Sequence, residues 1–90
     1  MQLQNLVIIA LFTTSAHAAW RNAWCNKPFV NDGDDRVATA KACDLAKGAD
    51  CHDCVIGASG YCYSQHNNIN IDTWNGYCTS SGGASGDGYE

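Results

Sequence analysis

The chain has 90 residues, a formal net charge of −4 and six cysteines. Its fourteen charged side chains are unevenly spread: between Ala19 and Lys47 five bases stand against four aspartates, and from Gly48 onward there are five acids and no base. Binding to nucleic acid or to anionic lipid needs Lys and Arg clustered on one face, so this balance argues against DNA binding and against the cationic antimicrobial mode.

The N-terminus reads "MQLQNLVIIALFTTSAHA". An apolar run of seven residues, Leu6–Phe12, leads through Thr13-Thr14-Ser15 to Ala16-His17-Ala18, with small residues where a signal peptidase needs them. About 20 apolar residues are needed to span a bilayer, so this run is too short for an anchor. Residues 1–18 are expected to be a cleaved signal peptide, and no membrane span is expected. The remaining 72 residues hold all six cysteines. A domain of that size buries too little apolar surface to be comfortably stable alone. In an oxidising compartment each disulfide adds about 2–4 kcal/mol, so three bridges rival a small domain's net stability. The expectation is a secreted, disulfide-stapled monomer over 19–80 with Cys25, Cys43, Cys51, Cys54, Cys62 and Cys78 all paired; six cysteines allow fifteen connectivities.

Taken in order, the mature segment opens with Trp20, Trp24 and Phe29 around Cys25, and Phe29-Val30 is a candidate short strand after Pro28. "NDGDD" (31–35) signals a turn. Its aspartates look like part of a calcium loop, but Gly33 occupies one ligand position and Ala42 stands where the closing glutamate belongs, so a solvated turn and helix cap is favoured. Asp34 or Asp35 can cap a helix over about 35–47, with Lys47 and Gly48 as the stop signal. Its inner stripe is expected to be Ala38, Ala42, Leu45 and Ala49, flanked by Cys43 and Ala46. Beyond it, "SGYCYSQ", "NINID" and "GYCTS" alternate like strands, with Asn67-Asn68 and Asn75-Gly76 as turns. The expected fold is therefore a small disulfide-rich α+β domain, with one short helix (about 35–47) on a three-stranded antiparallel sheet (about 59–80). The segment 81–90, rich in Gly and Ser, reads as a flexible tail.

The "CHDC" run at 51–54 invites three chemistries. Zinc needs a second ligand pair, and neither a second CxxC nor an HxxxH is present. A thioredoxin-type pair sits at a helix N-terminus within a βαβ unit, whereas this one follows a helix C-terminus. A two-residue gap closes a small loop that constrains little, so Cys51 and Cys54 are expected to bond to different partners. For hydrolysis the lone mature glutamate is Glu90 at the chain's end, aspartates could serve but no spacing singles out a pair, and His52 and His66 read as solvated histidines. No metal, cofactor or catalytic set is expected, and the chain is not expected to be an enzyme.

Aromatic residues carry the remaining signal. Most should pack in so small a core, yet Trp74, Tyr61, Tyr63 and Tyr77, with His52, Asn68 and neighbouring asparagines, are candidates for a surface that stacks on a glycan or anchors a protein contact. The Met-Gln opening, the alanine-rich cleavage region, the short acidic mature chain and the six cysteines together resemble fungal small secreted cysteine-rich proteins. That resemblance covers the whole chain and implies a non-enzymatic effector or toxin-like role against an extracellular or host protein. A chitin- or glucan-binding module and an antimicrobial or killer toxin are the alternatives.

Overall fold

The computed structural model of the chain describes residues 19–28 and 33–90. The expected signal peptide (1–18), the candidate strand Phe29-Val30 and the Asn31-Asp32 part of the turn lie outside the described residues.

Asp35 is extended, and its Oδ1 accepts from the Ala38 N–H at 3.0 Å, which caps helix α1, Arg36–Ala49. The helix does not stop at Gly48. It runs on until the Asp50 N–H closes on the Ala46 carbonyl at 3.0 Å. An exposed helical glycine costs about 1 kcal/mol against alanine, too little to end a helix whose last turn is otherwise complete. The inner face is Ala38, Thr39, Ala42, Cys43 and Ala46. Leu45 is 45% exposed, and Ala49 is exposed too, so the expected stripe is displaced to one side. Thr39 explains the rotation: its buried hydroxyl donates to the Asp35 carbonyl (2.7 Å) and accepts from the Cys25 N–H (2.9 Å), tying the helix to the sheet.

The strands are β1 (Ala19–Trp20), β2 (Asn22–Cys25), β3 (Val55–Ile56), β4 (Cys62–Tyr63), β5 (Ile69–Asn70) and β6 (Gly86–Tyr89). They form an antiparallel four-stranded sheet in the order β3-β4-β2-β6, and a two-stranded pair, β1-β5. The class is thus small, disulfide-rich α+β, but the three-stranded meander over 59–80 is not formed. Asn67, at φ 56°, does turn the chain after β4, yet the strand that follows pairs with β1. "GYCTS" is not a strand at all: Ile71–Ser80 is a second helix, α2. Asn70 caps it by accepting from the Asp72 N–H at 2.8 Å, and Trp74 and Cys78 fall one turn apart on its buried side. Asn75-Gly76, expected as a hairpin turn, lies inside this helix.

The Gly/Ser-rich end, expected as a flexible tail, supplies strand β6, which pairs with β2 from Gly86 to Tyr89. Glycine at the inward positions makes this work. A Cβ on Gly88 would meet the Trp20 ring and the Asn22 carbonyl, and one on Gly86 would meet the Trp74 ring. Two tryptophans therefore pack against the strand and supply the burial its own side chains lack.

The core is small residues and sulfur around one large ring: Ala23, Ala38, Ala42, Ala46, Ile69 and all six cysteines enclose Trp74. Cys25–Cys78 joins β2 to α2, and Cys43–Cys62 joins α1 to β4. The third bridge corrects the expectation for "CHDC": Cys51 and Cys54 are bonded to each other, with Cα atoms 5.4 Å apart. The turn after α1 brings them together, the Cys51 N–H bonding to the Ala46 carbonyl (2.8 Å) and the Cys54 N–H to that of Cys51 (3.1 Å). No helix among the described residues is long and apolar enough to cross a membrane.

Candidate functional site

Strand β2 alternates: Ala23 and Cys25 point into the core, Asn22 and Trp24 away from it. The register extends that outer face across the sheet. Tyr63 on β4 and Tyr89 on β6 lie opposite Asn22, Val55 on β3 lies opposite Tyr63, and Asp87 lies opposite Trp24. Tyr61, one residue before β4, stacks on the Trp24 ring with centroids 4.8 Å apart and planes at 27°. Tyr89 tilts against the same ring at 6.0 Å and is 51% exposed. Trp24, Tyr61, Tyr63 and Tyr89 thus share the helix-free face of the sheet.

A polar rim fixes the central ring. The Trp24 Nε1–H donates to Asn26 Oδ1 at 3.2 Å, while Asn26 Nδ2 donates to Asp87 Oδ2 (2.9 Å) and to Ser85 Oγ (3.0 Å). Behind it, the Trp24 carbonyl accepts from the buried Trp74 Nε1–H at 3.0 Å. The patch is therefore held by β2, β4 and β6 together, with Cys25–Cys78 and Cys43–Cys62 anchoring β2 and β4 to the helices.

The residues expected to form a binding surface divide among four places. Tyr61 and Tyr63 are on this face. Trp74 is fully buried and belongs to the core, so it is no part of a surface. Tyr77 lies at the core margin on α2, its hydroxyl donating to Asp50 Oδ1 at 3.2 Å. His52 and Asn68 are at the "CHDC" end of the molecule. His52 is exposed, with Nδ1 3.2 Å from the Lys47 carbonyl. Asn68 donates to Asp53 Oδ1 at 3.2 Å.

Asp53 organises that end. It also accepts from Ser64 Oγ (2.7 Å) and the His66 N–H (3.1 Å), so one carboxylate gathers the 64–68 turn onto the Cys51–Cys54 loop. Burial pushes its pKa up. The hydrogen bonds from Ser64, His66 and Asn68, with the adjacent His66 charge, outweigh that and hold it below the usual aspartate value. This is anchoring chemistry, since the oxygens are occupied by the protein's own donors. The sulfurs of Cys43, Cys54 and Cys62 lie within 4.8 Å of one another, as a metal site would need, but each is in a disulfide and offers no thiolate.

Trp24, Tyr89, Asn22, Asn26 and Asp87 had not been singled out for this face. The signal for Trp24 and Tyr89 is the period-two pattern of "NAWC" and "GDGY", in which each ring alternates along the strand with small residues.

A family model described as BAS4, biotrophy-associated secreted protein 4, matches residues 17–87. No curated protein and no solved structure matches the chain.

Proposed function

Since the chain belongs to the biotrophy-associated secreted protein 4 family, we propose that it acts outside the producing cell as a non-enzymatic effector, binding an extracellular or host protein through the outer face of its four-stranded sheet. Family membership makes it a secreted, cysteine-rich protein of the effector type, in keeping with its resemblance to fungal small secreted proteins. The match begins at residue 17, beside the expected signal-peptide boundary.

The observation that carries the binding reading is the Tyr61–Trp24–Tyr89 cluster on a covalently braced sheet. Trp and Tyr dominate protein-interface hot spots, and rings already fixed by neighbours lose little entropy on binding. A protein is favoured over a glycan because sugars stack on free ring faces. One face of the Trp24 indole is taken by Tyr61, and its N–H by Asn26.

The test applies labelled mature protein to host tissue, identifies the cross-linked extracellular partner, and measures its affinity for wild type and for Trp24→Ala/Tyr61→Ala. Loss of a hot-spot pair costs 2 kcal/mol or more, so affinity should fall at least about 30-fold while the disulfide map stays native. A partner bound equally well by the double variant would refute the assignment of this face. Saturable binding to chitin or glucan, abolished by Tyr63→Ala, would replace it with the carbohydrate-module reading.

A further inference from the structure

The "CHDC" bridge differs from a simple staple in what surrounds it. The Cys54 sulfur lies within 4.8 Å of both sulfurs of Cys43–Cys62, so two disulfides meet in one place. Cys25–Cys78 belongs to no such group among the described residues. A cleft of about 200 Å³ opens between α1 and β3, and Cys43 and Cys54 form part of its wall. Lys47 lies on the rim with Asp44, and the outer wall is the two-residue edge strand Val55–Ile56, both residues about half exposed. Cys43 and Cys54 are only 3% and 1% exposed, so a small thiolate reaches this pair of bridges from the cleft when the short edge strand β3 moves outward. The opposite charges of Lys47 and Asp44 on the rim leave its entry without a net electrostatic bias.

We propose that Cys43, Cys54 and Cys62 form a thiol–disulfide exchange relay, entered through the α1–β3 cleft by a small dithiol, in which reduction of Cys51–Cys54 passes on to Cys43–Cys62. In the first step one thiolate of the dithiol attacks Cys54 Sγ. The Cys54–Cys51 bond breaks, and Cys51 leaves and takes up a proton. The second thiol of the reagent then attacks the mixed disulfide, releasing Cys54 as a thiolate and the reagent as a cyclic disulfide. Two electrons have moved from the dithiol to the protein.

The two freed thiols are not equivalent. Cys51 Sγ sits 3.5 Å from Asp53 Oδ1, and that carboxylate opposes a second negative charge. Cys54, whose sulfur lies within 4.8 Å of those of Cys43 and Cys62, is the one placed to attack the second bridge, and Cys51 is not. In the third step Cys54 attacks Cys43 or Cys62. One new bond, Cys54–Cys43 or Cys54–Cys62, replaces Cys43–Cys62, and the displaced sulfur leaves as the thiolate. This step needs no further reagent. Its consequence is mechanical: the covalent tie of α1 to β4, the strand that carries Tyr63, becomes exchangeable while Cys25–Cys78 stays closed.

The test treats the native mature protein with limiting dithiothreitol, quenches with acid, labels thiols with an acid-tolerant alkylating reagent and maps the peptides without reduction. In the species lacking one disulfide, one label should fall on Cys51. The second should be shared among Cys43, Cys54 and Cys62, with new Cys43–Cys54 or Cys54–Cys62 peptides present. A Cys43→Ser/Cys62→Ser variant should confine both labels to Cys51 and Cys54. The relay is overturned if wild type also confines both labels to that pair. It is equally overturned if Cys25–Cys78 opens as readily as Cys51–Cys54. Neither outcome bears on target binding by the aromatic face, which is read by affinity and not by the sulfur map.

Discussion

Replacing the three cystines one at a time by pairs of alanines separates their contributions, because they close very different lengths of chain. The sequence separations are 53 for Cys25–Cys78, 19 for Cys43–Cys62 and 3 for Cys51–Cys54. In the loop-entropy model these correspond to about 4, 3 and 2 kcal/mol taken from the unfolded chain's freedom. All six sulfurs are buried, so the packing lost on truncation is similar for each pair and largely cancels from the comparison. The order of destabilisation should therefore be Cys25→Ala/Cys78→Ala, then Cys43→Ala/Cys62→Ala, then Cys51→Ala/Cys54→Ala. The two extremes should differ by about 2 kcal/mol, which for a domain of this size is about 10–15 °C in melting temperature. Equilibrium unfolding in guanidinium, followed by the fluorescence of Trp74 and its neighbours, reads the difference directly. Equal losses from all three pairs, or the largest loss from the "CHDC" pair, would show that chain entropy is not how these bridges act.

Four further substitutions test the contacts that shape the fold. Gly88→Ala should cost about 1–3 kcal/mol, because the new methyl meets backbone as well as the Trp20 ring, and the Arg21 N–H, bonded to the Tyr89 carbonyl at 3.0 Å, should lose hydrogen-exchange protection; Gly48→Ala, in open space on α1, should instead stabilise by about 1 kcal/mol. Thr39→Val keeps the shape of the side chain but strands the buried Cys25 N–H, with an expected loss of about 1–3 kcal/mol in urea unfolding. For Asp53 the native pKa is depressed below the unfolded value of about 3.9, so its contribution is fully present above that pH and disappears as pH falls through the native value. The midpoint deficit of Asp53→Asn should accordingly be largest near pH 7 and shrink as pH falls below the unfolded value, whereas a deficit constant with pH would exclude a role for the charge.

The helix and its cap were legible because α1 carries a strong local signal: Asp35 before an alanine-rich, regularly spaced run. Helix α2 was not, because "NINIDTWNGYCTS" satisfies two periods at once. Ile69 and Ile71 alternate as in a strand, while Ile71, Trp74 and Cys78 repeat as in a helix, and Asn75-Gly76 imitates a hairpin. Burial of Trp74 against β2 and the Cys25–Cys78 bond select the helical period, and both are long-range facts. Strand β6 is hidden in the sequence for a related reason. Glycine lowers strand propensity locally, and the compensation at Gly86 and Gly88 comes from tryptophans distant in sequence. The same holds for "CHDC", where the argument from loop entropy is sound but the turn geometry after α1 puts the two sulfurs within bonding distance anyway.

The two faces of the sheet divide the aromatic residues by task. On the inner side the sheet offers little volume of its own, with Ala23, Gly86 and Gly88 in adjoining positions, so Trp20 and Trp74 are needed there to fill the space against the helices. On the outer side Trp24, Tyr61, Tyr63 and Tyr89 cover no helix and close no core. Aromatic rings left on an uncovered sheet face are an association hazard unless something uses them. Here their mobility is also suppressed, by stacking, by the Asn26–Asp87 rim and by the bridges that hold β2 and β4. Rigid aromatic area set in a polar rim has the composition of the residues that dominate protein-interface hot spots. The same bridges that brace this face include the one that the sulfur relay would open. A reductant would then loosen β4, and with it Tyr63, before the rest of the domain unfolds.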